Sequence, residues 1–394
     1  MMANNSYDAI MVGGGVMGCA IAYYLLKADH RLKVALVEMD PTYARASTLL
    51  SDGNLRVQFN IKENIQMSQY GLEVLERFAE EMAVDGDRPV AACRRQGNLF
   101  LIDEAGREEA EQGLAMQKSL GCRVDWLTPA EIKQVYPLYN LAGCVGGTFG
   151  QQDGTMSPQA VLMGYKNKAV SLGAQFIQAE GVELLKHENR MVGVRLSSGD
   201  RLTANCVVNT AGAWAPKIAQ TVGINLPIKP IKRQVFVIET NVRPDKILPV
   251  IFFPSGLYCI HEGEGHFMCG KSLPDDPVGY DDFSWERQRF EEILWPELVE
   301  FIPAFDRLKV VRGWAGLYAV NTFDGNAILG EWPELKGFFL ANGFSGHGFQ
   351  QCHAVGRYLA ELIMGQPPTL NLAIFSPKRI LENKPMFESK RKII

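Results

Sequence analysis

Ala9-Ile10-Met11-Val12-Gly13-Gly14-Gly15-Val16-Met17-Gly18 is an apolar run that breaks into a glycine-rich turn, and its reading decides the fold. The run is short and continuous, as in a buried parallel strand, and Val16 to Lys27 has helical spacing. In the pattern Gly13-x-Gly15-x-x-Gly18 the first glycine permits a tight turn. The second lets backbone N–H groups approach a pyrophosphate, and the third lets the helix pack on the strand. The helix N-terminus adds partial positive charge for the phosphates. A second apolar run, Val34-Ala35-Leu36-Val37, ends in Glu38, whose carboxylate can accept hydrogen bonds from both ribose hydroxyls. An acid there would repel a 2′-phosphate, so the pattern predicts a dinucleotide without one, held by an α/β unit.

A chain of 394 residues is long enough for two or three domains with a large core. With 47% hydrophobic and 21% charged residues it reads as globular rather than disordered or fibrous. A net charge of −4 gives no electrostatic reason to expect nucleic acid, and the short Lys390-Arg391-Lys392 cluster reads as a solvated tail. The eight cysteines include no Cys-x-x-Cys pair, so neither a disulfide framework nor a metal site is expected. Met1 to Ser6 carries no basic segment leading into an apolar stretch, and no run reaches the ~18 apolar residues of a membrane span. The cytoplasm is the expected compartment.

Beyond the first βαβ unit (about 7–38), residues 61–82 have amphipathic helical spacing. Cys93 to Ile102 and Gly143 to Gln151 are strand-like, Glu104–Leu120 is helical, and Thr128-Pro129 starts a further helix. Ser157-Pro158 opens a helix to about Leu172. Strands are expected from Gly173, at Val182–Leu185, at Val192–Leu196 and at Cys206–Asn209. Residues 231–320 read as strands with one helical patch near Ser284–Val299, and Phe338–Ala341 precedes a helix at Gln350–Met364. The pattern predicts a discontinuous Rossmann-like domain from residues 1–85, 152–230 and 321–394. A second α+β domain, with a large and mostly antiparallel sheet, is expected from 86–151 and 231–320.

Two later segments carry chemistry. Asn209-Thr210-Ala211-Gly212-Ala213-Trp214 follows a strand and opens a helix, with small residues that let backbone lie close to a cofactor. Gly343-Phe344-Ser345-Gly346-His347-Gly348-Phe349-Gln350 offers backbone N–H groups at a helix start. The pyrimidine edge of an isoalloxazine needs such donors, because a hydride arriving at N5 leaves negative charge on that edge. Together with Gly13–Gly18, Glu38 and Ala46-Ser47-Thr48, these segments resemble the FAD-dependent D-amino-acid-oxidase superfamily. That group includes sarcosine oxidase, glycine oxidase and proline dehydrogenase β-subunits, and the likeness extends over essentially the whole chain. A closer likeness, through Glu63–Ser68, Trp314-Ala315-Gly316, Asn321–Asp324 and Gly343–Gln351, is to a mitochondrial assembly factor for a respiratory complex.

The resemblance implies FAD held by Gly13, Gly15, Val16, Met17, Gly18, Glu38, Ser47, Thr48, Val182, Ala211, Gly212, Trp214, Gly343, Ser345, Gly346, His347, Gly348, Phe349 and Gln350. It implies oxidation of an amino acid or secondary amine by hydride transfer, a task of positioning rather than strong base catalysis. Tyr318, His347, Gln350, Tyr258 and Arg56 are the candidate catalytic residues. The electron acceptor is expected to be oxygen or a redox carrier, and an oligomer is compatible with the pattern. A non-catalytic assembly flavoprotein and a 2-hydroxy-acid oxidase are the alternatives.

Departures from the family are informative. Where relatives attach flavin through a cysteine, this chain has Gly316, and Arg45–Arg56 contains no histidine for the other attachment, so noncovalent FAD is expected. Tyr318 stands where glycine oxidase has its carboxylate-binding arginine, and Gln350 where sarcosine oxidase has a lysine. Arg56, Lys271 and Arg233 are left as candidate anchors. The resemblance implies Met268 as the counterpart of the oxygen-activating lysine, with Lys271 close by, which points towards a dehydrogenase. His261 and His266 are expected on a strand surface.

Overall fold

A computed structural model describes residues 5–388 of the chain. Lys390-Arg391-Lys392 and Met1 to Asn4 lie outside the described residues. A six-stranded sheet runs in the order Ile328–Glu331, Phe338–Asn342, Val207–Asn209, Ala9–Val12, Val34–Glu38, Gln175–Gln178. Its pairings are parallel except at the Ile328–Glu331 edge. Every residue of Ala9–Val12 and Val34–Glu38 is buried, which is why these strands are unbroken apolar runs. Their side chains alternate between two cores. Ala9, Met11, Val34 and Leu36 face the helices Val16–Ala28, Lys62–Glu81, Pro158–Ser171 and Gly348–Ile363. Ile10, Val12, Ala35 and Val37 face Ala215–Gln220 and a four-stranded sheet of Ser6–Tyr7, Arg201–Ala204, Arg190–Leu196 and Gly181–His187.

Close helix packing sets the spacing of this layer. A Cβ on Gly356 would lie 2.8 Å from that of Ala20, so the glycine lets the last helix press onto the first. Pro158 follows Ser157, whose hydroxyl accepts from the Ala160 N–H and caps the helix. Thr128 and Glu131 form a complete capping box at Pro129–Val135.

An eight-stranded sheet runs Leu308–Asn321, Ile228–Thr240, His266–Gly270, Tyr258–Gly263, Val250–Phe252, Asn98–Asp103, Cys144–Gly150, Val124–Leu127. It is antiparallel except between Val250–Phe252 and Asn98–Asp103. One face packs Leu99, Phe236, Phe267 and Cys269 against the helical stretch Arg287–Phe301. That stretch contains a π-turn at Phe290–Leu294, two residues before Pro296, whose missing N–H interrupts the α-helical ladder. The expected strand at Cys93–Ile102 begins only at Asn98, because Gly97 turns the chain with φ +83°. His261 is buried rather than on the surface. It lies on the packed face, stacks on Phe267 and accepts the Leu248 N–H at 3.1 Å through Nδ1.

Candidate active site

A single cleft runs from the C-terminal ends of the parallel strands to the open face of the eight-stranded sheet. At one end Glu38, 8% exposed, closes its strand. Its carboxylate accepts N–H bonds from Gly14 (2.8 Å) and Asp40 (2.9 Å). Burial raises its pKa, and those N–H groups partly offset the rise. Gly13 adopts φ +110°, and a Cβ there would meet the Thr210 carbonyl oxygen at 2.5 Å. The Thr210 hydroxyl reaches the carbonyls of Val12 (3.1 Å) and Gly13 (2.7 Å). Thr210 thus fastens the second glycine segment to the first, a role no spacing rule revealed.

The helix Val16–Ala28 starts at Gly15 with neither a side-chain cap from that residue nor an acid in its first turn; the Val16 N–H reaches the Thr48 hydroxyl at 3.4 Å, and the turn is otherwise open to a ligand. Gly348–Ile363, preceded by His347, likewise has neither such a cap nor such an acid. Gly343 and Gly346 take φ +69° and +102°, and Ser345 takes φ +51°. A Cβ on Gly346 would lie 2.5 Å from the Tyr318 ring, so only glycine admits that tyrosine here. Ser345 ties the loop down: its N–H donates to the Ala319 carbonyl (3.1 Å), and its hydroxyl accepts from the Asn321 N–H (3.0 Å).

At the far end Arg56, His347 and Gln350 converge. The Arg56 N–H donates to Gln350 Oε1 at 2.9 Å, and Nη1 donates to the Gln58 carbonyl. Nη2 lies 3.1 Å from His347 Nε2, and the guanidinium sits 4.1 Å over the Phe59 ring. Burial, reinforced by the Arg56 charge, pushes the His347 pKa down to about 3. The ring is therefore neutral, and its Nε2 accepts from Arg56. Among the described residues no acid lies within ion-pair distance of Arg56. The other two candidate anchors are occupied: Arg233 pairs with Asp276, and Lys271 with Glu297 at 2.5 Å. Tyr258, Tyr318 and Asp52 complete this end, with both phenol pKa values raised by burial.

Residues 8–362 match the family described as DAO, FAD dependent oxidoreductase. The chain belongs to the DAO family. It is 35% identical to FAD-dependent oxidoreductase domain-containing protein 1 of Xenopus laevis, over 97% of this chain and 84% of that one. It is 26% identical to glycine oxidase of Bacillus subtilis, over 91% and 94%. The crystal structure of L-proline dehydrogenase from P. horikoshii superposes with a TM-score of 0.84 at 26% identity, covering 97% and 99%.

The cleft of this DAO-family, FAD-dependent chain fits its cofactor on its own geometry. Two helix N-termini without a side-chain cap from the preceding residue open into it, and a Cβ on Gly212 would meet nothing within 4 Å. Of the residues expected to hold FAD, Gly13, Gly15, Val16, Met17, Glu38, Ser47, Thr48, Ala211, Gly212, Trp214 and Ser345 to Gln350 line the cleft. Three do not. Gly18 serves packing, since a Cβ there would lie 2.1 Å from the Gly13 carbonyl oxygen. Gly343 turns the chain beneath Asn321, and Val182 leaves its place to Gly181. All five candidate catalytic residues line it, but Met268 does not. The reading from sequence missed Asp52, and also Asp153. Asp153 is buried and accepts from Val57 N and Gln58 Nε2, both at 2.8 Å, pinning the strand end that presents Arg56.

Proposed function

We propose that this protein oxidises an N-substituted or cyclic amino acid, or a related secondary amine, at the carbon beside nitrogen. The chemistry that bound FAD supplies is acceptance of two electrons as a hydride at N5; water then hydrolyses the imine product. The single observation that carries this reading is Arg56, a cation on the cleft wall with no acid within ion-pair distance among the described residues, Glu388 and Asp153 acting on it only from farther away. A substrate carboxylate answers that charge. Neutral His347 accepts from Nη2, fixing how the guanidinium faces the cleft. Tyr318 and Tyr258 give the remaining wall an apolar body with polar tips. Relatives named for glycine and proline agree with this class of substrate.

Residues 1–85, 152–230 and 321–394 are proposed as the FAD-holding domain, and 86–151 with 231–320 as the substrate domain, in line with the strands each sheet recruits. FAD is held noncovalently in this account. A Cβ on Gly316 would already lie 2.9 Å from that of Leu50, leaving little room for an attachment residue. The Lys271–Glu297 pair supports a dehydrogenase that passes electrons to a carrier. The test is Arg56→Met. It should raise the half-saturating concentration of a reducing amino acid about 100-fold, the scale of a charge-assisted contact. It should leave reduction by a carboxylate-free amine unchanged. Equal effects on both would remove Arg56 as the anchor. A 2-hydroxy acid would satisfy Arg56 equally well, and substrate comparison separates the two.

A further inference from the structure

The reacting end of the cleft holds a second charge without an opposite partner. Asp52 accepts the Asn54 N–H at 3.1 Å, and the Tyr258 hydroxyl on the neighbouring strand favours its charged form. Among the described residues no lysine, arginine or histidine lies within ion-pair distance of it. The ionisable groups that act on it are Tyr258 and Glu262 from one strand and Tyr318 from another. Glu262 is itself held by Arg94 at 2.6 Å. Arg56 follows on the same segment and lines the same cleft. Leu50, at the head of the turn, is tied down by the Trp314 indole N–H at 2.9 Å, so the turn is braced by the long strand Leu308–Asn321.

An amino acid reaches this cleft as a zwitterion. Its carboxylate finds Arg56; its ammonium group needs an anion. It must also lose a proton, because a protonated nitrogen has no lone pair with which to expel a hydride from the neighbouring carbon. We propose that Asp52 accepts this proton, with Tyr258 as the positioning residue that orients its carboxylate. In the step a substrate N–H bond breaks and an O–H bond forms on Asp52, with no change in oxidation state. The proton passes to solvent when the product leaves. Burial raises the proton affinity of Asp52, and the Tyr258 hydroxyl opposes that rise. The inference rests on the amine-oxidation reading above.

The test is anaerobic reduction of the holoprotein by an N-substituted or cyclic amino acid between pH 6 and 10, comparing wild type with Asp52→Asn. At pH 7 the variant should reduce about 100-fold more slowly, the scale of a positioned proton acceptor. Its rate should recover as pH rises and the free amine becomes abundant in solution. Tyr258→Phe should shift the acid limb to higher pH, because the carboxylate loses a hydroxyl that favours its charged form. Asp52→Glu should keep the limb, and an unchanged visible spectrum shows that each variant still holds FAD. A variant profile equal to wild type, or lowered by one factor at every pH, would overturn the role of Asp52. If no amine or amino acid reduces even the wild type, the amine reading fails and this proposal falls with it.

Discussion

Arg56 shows how a residue acquires meaning from what surrounds it. Its sequence context, Leu55-Arg56-Val57, has no special spacing, and Arg233 and Lys271 are chemically equal candidates. Pairing separates them, and pairing depends on Asp276 and Glu297, far away in sequence. Asp52 was illegible for the same reason: a lone acid before a glycine reads as a turn. Glycines were more legible, because a tight turn restricts residue type by backbone geometry alone. Gly346 illustrates the consequence. Gly346→Ala forces φ +102° on a Cβ that meets the Tyr318 ring, so it should destabilise the protein by about 1–3 kcal/mol. Urea unfolding measures this, and an unchanged midpoint would mean that the ring yields freely.

At the scale of elements, hydrophobic period and capping signals were legible where one local rule dominated. The buried strands, the helix after Ser157 and the capping box at Thr128 follow from neighbours in sequence. Misreadings arose where tertiary contact decided. Cys93 to Gly97 has strand composition but is turned by Gly97, and His261 lies on the packed rather than the open sheet face. Asp153 is another tertiary device. Burial raises its pKa from 3.8 to about 7. A raised carboxyl pKa means that the folded state binds the proton more tightly, so this contribution is full below about pH 4 and fades as pH rises through 7. Asp153→Asn, a fixed neutral mimic, should therefore gain stability relative to wild type between pH 4 and pH 7. Denaturant titrations at the two ends check this; a difference independent of pH would refute it.

The two large sheets of the molecule, one mostly parallel and one mostly antiparallel, share a cleft. Gly13–Met17 and Ser345–Gln350 meet there although more than 300 residues separate them in the chain. The dinucleotide fold was legible because its glycine turn and strand-end acid are local signals; the charge balance of the cleft was not, because it is a sum over both sheets. That balance bears on the electron acceptor. With Lys271 held by Glu297, the reduced protein should reoxidise slowly in air and rapidly with a dye or quinone acceptor. Stopped-flow reoxidation distinguishes these, and fast reaction with oxygen would make it an oxidase. The central claim is tested most directly by anaerobic titration of the holoprotein with N-substituted amino acids, cyclic amino acids and 2-hydroxy acids, following the visible flavin absorbance. The account predicts bleaching by at least one amine-bearing acid and by none of the hydroxy acids. Bleaching by dithionite but by no amine or amino acid would contradict it.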